Sequence, residues 1–213
     1  MRTLYIDTSS DYLYSGIVID NKLVSEVKEK YEKDLSKEAL PRIIELFDNA
    51  KITPKDLDKI IVVSGPGSFT GIRIGITIAK TIAWALNINI TPISGLTAMA
   101  ISCDNDTYKM PLIDARRGYV YGAIYDKDNN SVIEDSHIYL QDLLNKSKVL
   151  GEVTVITNND INIDLKKVKY NPDILKIVKQ FENNNGINPH LVNPIYLKKT
   201  EAEEKLRKKQ DYD

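Results

Sequence analysis

Three short stretches carry the residues with the clearest chemical potential. One is Ser64-Gly65-Pro66-Gly67-Ser68-Phe69-Thr70-Gly71-Ile72-Arg73-Ile74-Gly75. It follows the apolar run Ile60-Ile61-Val62-Val63 and leads into a long segment that reads as a helix ending near Leu86. A glycine-rich turn between strand and helix points backbone N–H groups at an anion such as a phosphate. Gly65, Gly67 and Gly71 let a ligand or a backbone come close, and Ser68 or Thr70 suits the helix cap. The same pattern also serves a tight turn with no ligand. Asp7-Thr8-Ser9-Ser10 ends the apolar strand Thr3–Ile6. A carboxylate there either holds a metal-bound water near a phosphate or closes an Asx turn. In Asp114-Ala115-Arg116-Arg117-Gly118, the paired arginines either clamp an anion or sit in a solvated turn with a local ion pair.

Other chemistries find no support. His137 and His190 are the only histidines and fall on different predicted elements, and Cys103 is the lone cysteine. Neither a helical histidine pair nor a cysteine pair is present to bind a metal, and an internal disulfide is excluded. No serine stands with a histidine and an acid in a recognisable arrangement. The glycine stretch lacks the Gly-Lys-Ser/Thr of a P-loop. No catalytic centre is visible.

The elements that position these residues alternate. Tyr12–Ile19 and Leu23–Val27 flank the turn Asp20-Asn21-Lys22 as a hairpin. Ser36–Asn49 reads as an amphipathic helix capped by Ser36, with Leu40, Ile43, Ile44 and Phe47 on one face and Pro41 bending or delaying it. Thr53-Pro54 opens a short helix, Ile88–Ile93 is a strand, and Ser94 caps a helix reaching Ser102. The first hundred residues therefore read βββαβαβα. After the polar stretch Cys103–Lys109 come strands Met110–Ile113, Tyr119–Tyr125 and Val132–Tyr139. Helix Leu140–Asn145, strand Val153–Thr157 and helix Asp173–Phe181 complete a smaller second unit. A final helix, Thr200–Lys209, carries i,i+4 Glu–Lys/Arg pairs typical of a solvated helix. Its Arg207-Lys208-Lys209 end leaves an RNA contact open.

The segment after the glycine turn demands cover. Its polar stripe is narrow, comprising Arg73, Thr77, Lys80 and Thr81, so two apolar sides need partners. Gly71, Gly75, Ala79 and Ala83 recur every four residues as a ridge that lets another helix approach closely. Arg73, at the positive end of the helix dipole, suits either an anionic partner or solvent.

Composition bounds the rest. The chain has 213 residues, 42% hydrophobic and 28% charged, with net charge −1. That describes a soluble globular protein with no field calling for nucleic acid or an acidic membrane. A lone cysteine fits a reducing compartment. No signal peptide is expected, and no uninterrupted apolar run reaches the roughly 18 residues of a membrane span.

Four anchors, Asp-Thr-Ser at 7–9, the 64–75 stretch, Asp-Ala-Arg-Arg-Gly at 114–118 and Pro-Ile-Tyr-Leu-Lys-Lys-Thr-Glu-Ala-Glu at 194–203, together resemble the TsaB (YeaZ) family. They span nearly the whole chain. The resemblance implies an α/β actin-like ATPase fold of two ribonuclease-H-like lobes, the second reduced. It sets the lobes at 1–103 and 104–193, with a C-terminal helix (194–213) packing back on the first. It implies a non-catalytic subunit of the bacterial complex that transfers a threonylcarbamoyl group to the adenosine beside the anticodon of ANN-decoding tRNAs. Partners would be the catalytic paralogue TsaD and the ATPase TsaE, with a homodimer when alone, tRNA met indirectly and a cytoplasmic setting. Pairing would use helices of the first lobe, here 36–49 and 71–86. The implied interface is Leu40, Ile43, Ile44, Phe47, Gly71, Ile72, Arg73, Gly75, Ile76, Ala79, Lys80 and Ala83. The implied phosphate site is Asp7, Thr8, Ser9, Ser10, Gly65, Gly67, Ser68 and Thr70. No intrinsic cofactor or metal is expected, ATP or ADP belonging to the assembled complex. The chain departs from relatives at Leu35-Ser36-Lys37, where His-Ser-Glu is frequent, and at Tyr119, where an acidic or amide residue is common. Two other readings fit the residues less well: a stand-alone ATPase or small-molecule kinase of the same superfamily, and a metallopeptidase.

Overall fold

The computed structural model describes residues 1–31 and 34–198; the helix expected at 200–209 lies outside them. Alternating side chains build the first sheet. In β1 (Arg2–Asp7), Leu4 and Ile6 point to one face, while Tyr5 and Asp7 point to the other. β2 (Tyr12–Ile19) and β3 (Lys22–Lys30) follow as antiparallel neighbours. β4 (Lys59–Gly65) and β5 (Ile90–Ser94) add in parallel, giving the order β3-β2-β1-β4-β5.

The second sheet repeats this plan. β6 (Tyr108–Asp114), β7 (Tyr119–Tyr125) and β8 (Ser131–Tyr139) are antiparallel, and β9 (Val153–Ile156) and β10 (Lys167–Val168) add in parallel. Its order, β10-β9-β6-β7-β8, is the first sheet's order read from the other edge. The fold is the actin-like pair of ribonuclease-H-like units. The reduction of the second lies in its helices and in the two-residue β10, not in strand number. The sequence reading missed β10, which is too short to show a period.

Five helices dress the sheets among the described residues. α1 (Leu35–Ala50) and α2 (Phe69–Leu86) cover one face of the first sheet, with Ile43, Leu46, Phe47, Ile72 and Ile76 packed on Leu4, Ile6, Ile60 and Val62. Asp34, not Ser36, caps α1, its Oδ1 accepting from the Ser36 amide at 3.2 Å. Pro41 lies inside α1 on its exposed side, where the carbonyl it leaves unpaired a turn earlier is solvated.

α3 (Gly95–Ile101) and α5 (Ile174–Gln180) join the two units. α3 sends Ala98 and Ile101 to the first sheet's other face and Leu96, Met99 and Ala100 to Ala123, Tyr125 and Ile156 of the second. α5 was expected to complete the second unit. It crosses back instead, placing Ile174, Ile177 and Val178 on Tyr5, Tyr14 and Val18. Lys59, 8% exposed, anchors the crossing by donating to the carbonyls of Phe181, Glu182 and Asn184. α4 (Leu140–Ser147) seats Leu143 on the outer face of the second sheet.

α2 is long and apolar enough, by length and composition, to cross a bilayer. In this fold its inner side is part of the first unit's core. Two residues of its polar stripe are engaged: Arg73 Nε donates to the Tyr196 hydroxyl at 2.9 Å and Lys80 Nζ to the Val192 carbonyl at 3.0 Å. Residues 192–198 thus run back along α2 and the end of β4, where the Ile195 amide donates to the Ser64 carbonyl at 2.7 Å.

Candidate functional site

The repeated topology places equivalent strand ends opposite one another. β1 and β6 each open a sheet and each end in an aspartate, Asp7 and Asp114. Each makes the same local turn: Asp7 Oδ1 accepts from the Ser9 amide, and Asp114 Oδ1 from the Arg116 amide, both at 2.9 Å. Between them lies a cleft of about 900 Å³. Its walls include Ser9, Ser10, Gly67 and Ser68 from the first unit, and Arg116, Tyr121, Asn158 and Asn159 from the second.

Asp7 is 2% exposed. Burial holds its carboxyl above the ordinary range, opposed by the Ser9 hydroxyl and amide and by the nearby Tyr5 hydroxyl. The Tyr5 and Tyr170 hydroxyls are buried close enough to feel Asp7's charge, yet neither has a partner in hydrogen-bonding geometry among the described residues. Burial, and then Asp7's charge, push Tyr14 up to about 12. Tyr14 stacks on Tyr12 at 5.3 Å and meets Tyr170 edge-on at 5.6 Å, so rings line one wall.

The glycine turn does not offer its clearance to this cleft. A Cβ on Gly67 would lie 2.2 Å from the Ser9 carbonyl oxygen, and one on Gly65 2.4 Å from that of Ile195. The Ser68 amide donates to the Ser9 carbonyl at 2.7 Å, and the Gly71 amide to Ser68 Oγ at 3.2 Å. These groups, expected to meet a phosphate, hold the chain to itself. Of the expected phosphate residues, Asp7, Ser9, Ser10, Gly67 and Ser68 line the cleft. Thr8 is buried with its hydroxyl on the Gly71 carbonyl at 2.7 Å, Gly65 is closed by Ile195, and Thr70 is exposed elsewhere. In the 64–71 turn, the clearance beside Gly65 and Gly67 is taken by Ile195 and Ser9, and the Ser68 and Gly71 amides are bonded within the chain. Arg116 faces the cleft, whereas Arg117 does not. Asp114 engages the Arg116 backbone, so the expected local ion pair is replaced by a turn. Among the described residues no three His, Cys, Asp or Glu side chains group so as to hold a metal.

The expected interface divides sharply. Leu40 (45%), Ile44 (52%) and Arg73 are exposed, and Lys80 is half-buried. Ile43, Phe47, Gly71, Ile72, Gly75, Ile76, Ala79 and Ala83 are buried within the chain. The small-residue ridge faces β1: Cβ atoms on Gly71 and Gly75 would sit 2.0 and 2.3 Å from Thr8 oxygens. The close approach inferred from that spacing is real, but its object is this chain's own strand end. Sequence reasoning missed Trp84, 68% exposed on α2 beside exposed Thr77 and Thr81. Its signal was available, since Trp84 follows Thr77 and Thr81 on the polar side of the wheel.

Comparison with known proteins adds the following. The family model described as "TsaD: tRNA N6-adenosine threonylcarbamoyltransferase" matches residues 22–181. The chain is 30% identical, over 96% of its own length and 97% of the relative's, to the tRNA threonylcarbamoyladenosine biosynthesis protein TsaB of Bacillus subtilis. It is 31% identical, over 78% of its length and 87% of the relative's, to the TsaB of Buchnera aphidicola. Among solved structures, YeaZ from Pseudomonas aeruginosa superposes with a TM-score of 0.75 at 20% identity, covering 92% of this chain and 99% of that one.

Proposed function

We propose a function from one premise: the chain belongs to the TsaB (YeaZ) family of tRNA threonylcarbamoyladenosine biosynthesis proteins. In this reading it is a non-catalytic subunit that pairs with and stabilises a TsaD-like paralogue, which transfers the threonylcarbamoyl group to tRNA. A TsaE-like ATPase supplies the nucleotide chemistry, and ATP or ADP enters with those partners. The setting is cytoplasmic, where tRNA resides, and the chain pairs with itself when the paralogue is absent.

The observation that carries the pairing is the outward side of α1 and α2. Leu40, Ile44 and Trp84 are exposed there, on helices whose inner sides already fill the core. Tryptophan is among the side chains that most often anchor an interface. The match of a TsaD family model to this chain argues that the paralogue shares its architecture and presents an equivalent helix pair. The internal closure of the glycine turn supports a role without phosphate chemistry at that loop, and disfavours a stand-alone kinase.

The test is co-purification of the tagged chain with its paralogue. Ile44→Glu with Trp84→Glu is expected to abolish the complex while circular dichroism and thermal unfolding stay those of the wild type. An undiminished complex overturns this surface.

A further inference from the structure

The inner face of the second sheet is only partly covered. α3 packs on Ala123 and Tyr125 of β7, and the Ser94 hydroxyl at its start meets Asp135 of β8. Alternation puts Tyr119 and Tyr121 of β7, and His137 and Tyr139 of β8, on this same face beyond the helix. The register pairs Tyr119 with Tyr139 and Tyr121 with His137. Four rings thus form one array. Tyr119 stacks on His137 at 4.8 Å, Tyr139 meets Tyr119 edge-on at 5.5 Å, and Tyr121 tilts against His137 at 5.4 Å. Tyr119 remains 42% and Tyr139 46% exposed.

The flank of the array is positive. Arg116 and Arg117 stand on the turn into β7, both exposed and both at positive φ. Neither guanidinium joins any ion pair among the described residues. The Asp114 carboxylate bonds the Arg116 amide rather than either guanidinium, and Asp135 accepts from Ser94 and Tyr125. Tyr121 and Arg116 also line the cleft, so the array continues its rim.

We propose that this strip is a platform on which unpaired RNA bases stack, with Arg116 and Arg117 holding the adjoining phosphates. It rests on the reading that the chain serves a tRNA-modifying assembly, and it names the surface that meets the nucleic acid. Aromatic rings on an open sheet face bind splayed-out bases of single strands and loops, because every base offers a face to stack. Two unpaired arginines beside them supply the charge that a phosphate backbone requires. A duplex hides its base faces and cannot use such a surface.

The test measures binding of a fluorescent single-stranded RNA of about 10 nucleotides, and of an unmodified ANN-decoding tRNA transcript, to the full chain alone and assembled with its paralogue. Tyr119→Ala is expected to weaken binding about 5- to 150-fold, the loss of one stacked base, while Tyr119→Phe binds as the wild type does. Arg116→Gln with Arg117→Gln is expected to flatten the slope of log affinity against log salt by about 0.7 per arginine. Duplex RNA of equal length should compete poorly. Unchanged affinity in Tyr119→Ala, equal competition by duplex, or no RNA binding by the wild type overturns the proposal. So does a Tyr119→Ala variant that keeps RNA but releases a protein partner, which would make the strip a protein contact. A wild-type chain that binds RNA yet never assembles with the paralogue would strike the functional reading and leave the platform standing.

Discussion

Replacing Gly71 with alanine sets two effects against each other. Gly71 lies inside α2, where alanine is worth about 1 kcal/mol over glycine by helix propensity. On propensity alone the variant is more stable. The structure reverses the sign. The new Cβ would sit 2.0 Å from the Thr8 carbonyl oxygen, and a backbone atom cannot swing aside like the end of a side chain. α2 must lift from β1, at an overpacking cost of about 1–3 kcal/mol. The lift also loosens the 2.7 Å bond from the Thr8 hydroxyl to the Gly71 carbonyl, worth about 1 kcal/mol. The net loss is about 1–3 kcal/mol, or roughly 2–12 °C in Tm for a chain of this size. Gly75 provides an internal control. Its obstacle is the Thr8 hydroxyl at 2.3 Å, a side-chain atom. Thr8→Ala should therefore remove the clash of Gly75→Ala, but should spare Gly71→Ala only the roughly 1 kcal/mol of the hydroxyl bond and leave its backbone clash, a difference in coupling that urea unfolding of the single and double variants measures. A Gly71→Ala protein as stable as the wild type, or more so, would refute the reasoning and return the small-residue ridge to the service of a partner.

Ile76, 4% exposed in the core, should not tolerate a charge: Ile76→Glu is expected to cost more than about 4 kcal/mol and yield unfolded protein. Ile44→Glu, at 52% exposure, should change monomer stability by less than about 0.5 kcal/mol, as denaturant midpoints will show. Asp7→Asn keeps the acceptor for Ser9 and removes a charge whose pKa burial raises above 3.8. The folded protein holds that proton more tightly than the unfolded chain, so the charged form costs stability as pH rises through that window. The variant's advantage should thus be absent in acid and grow toward neutral pH; an advantage that shrinks with rising pH would contradict the buried placement. Lys59→Met orphans the carbonyls of Phe181, Glu182 and Asn184, and should cost about 3 kcal/mol and free the α5 crossing to hydrogen exchange.

Much of the architecture was legible because it follows from local periodicity. The apolar run Thr3–Ile6 and the turn-flanked segments Tyr12–Ile19 and Tyr119–Tyr125 read as strands, and Ser68, one of two cap candidates, and Ser94 marked helix starts that the structure keeps. What periodicity does not carry is the direction in which a face points. The four-residue spacing of Gly71, Gly75, Ala79 and Ala83 requires a close neighbour but is silent on which one; Thr8 of the same chain meets Gly71 and Gly75, and Ala79 and Ala83 are buried in the chain's own core. The glycine turn shows the same limit. Glycines that permit close approach serve a backbone as well as a phosphate, and Ser9 and Ile195, remote in sequence, fill the space. The α5 crossing was not legible because the groups that receive it, Tyr5, Tyr14, Val18 and Lys59, are remote from it in sequence. The aromatic strip of the second sheet was masked for a different reason: Tyr119, Tyr121, His137 and Tyr139 join only through the β7–β8 register.

The most direct measurement is reconstitution of tRNA modification by the purified TsaD-like and TsaE-like proteins, with and without this chain, read as threonylcarbamoyladenosine in digested tRNA by mass spectrometry. Modified nucleoside is expected only when the chain is present, and is expected to be lost when Ile44→Glu with Trp84→Glu replaces the wild type. Full modification in the chain's absence would contradict the subunit role.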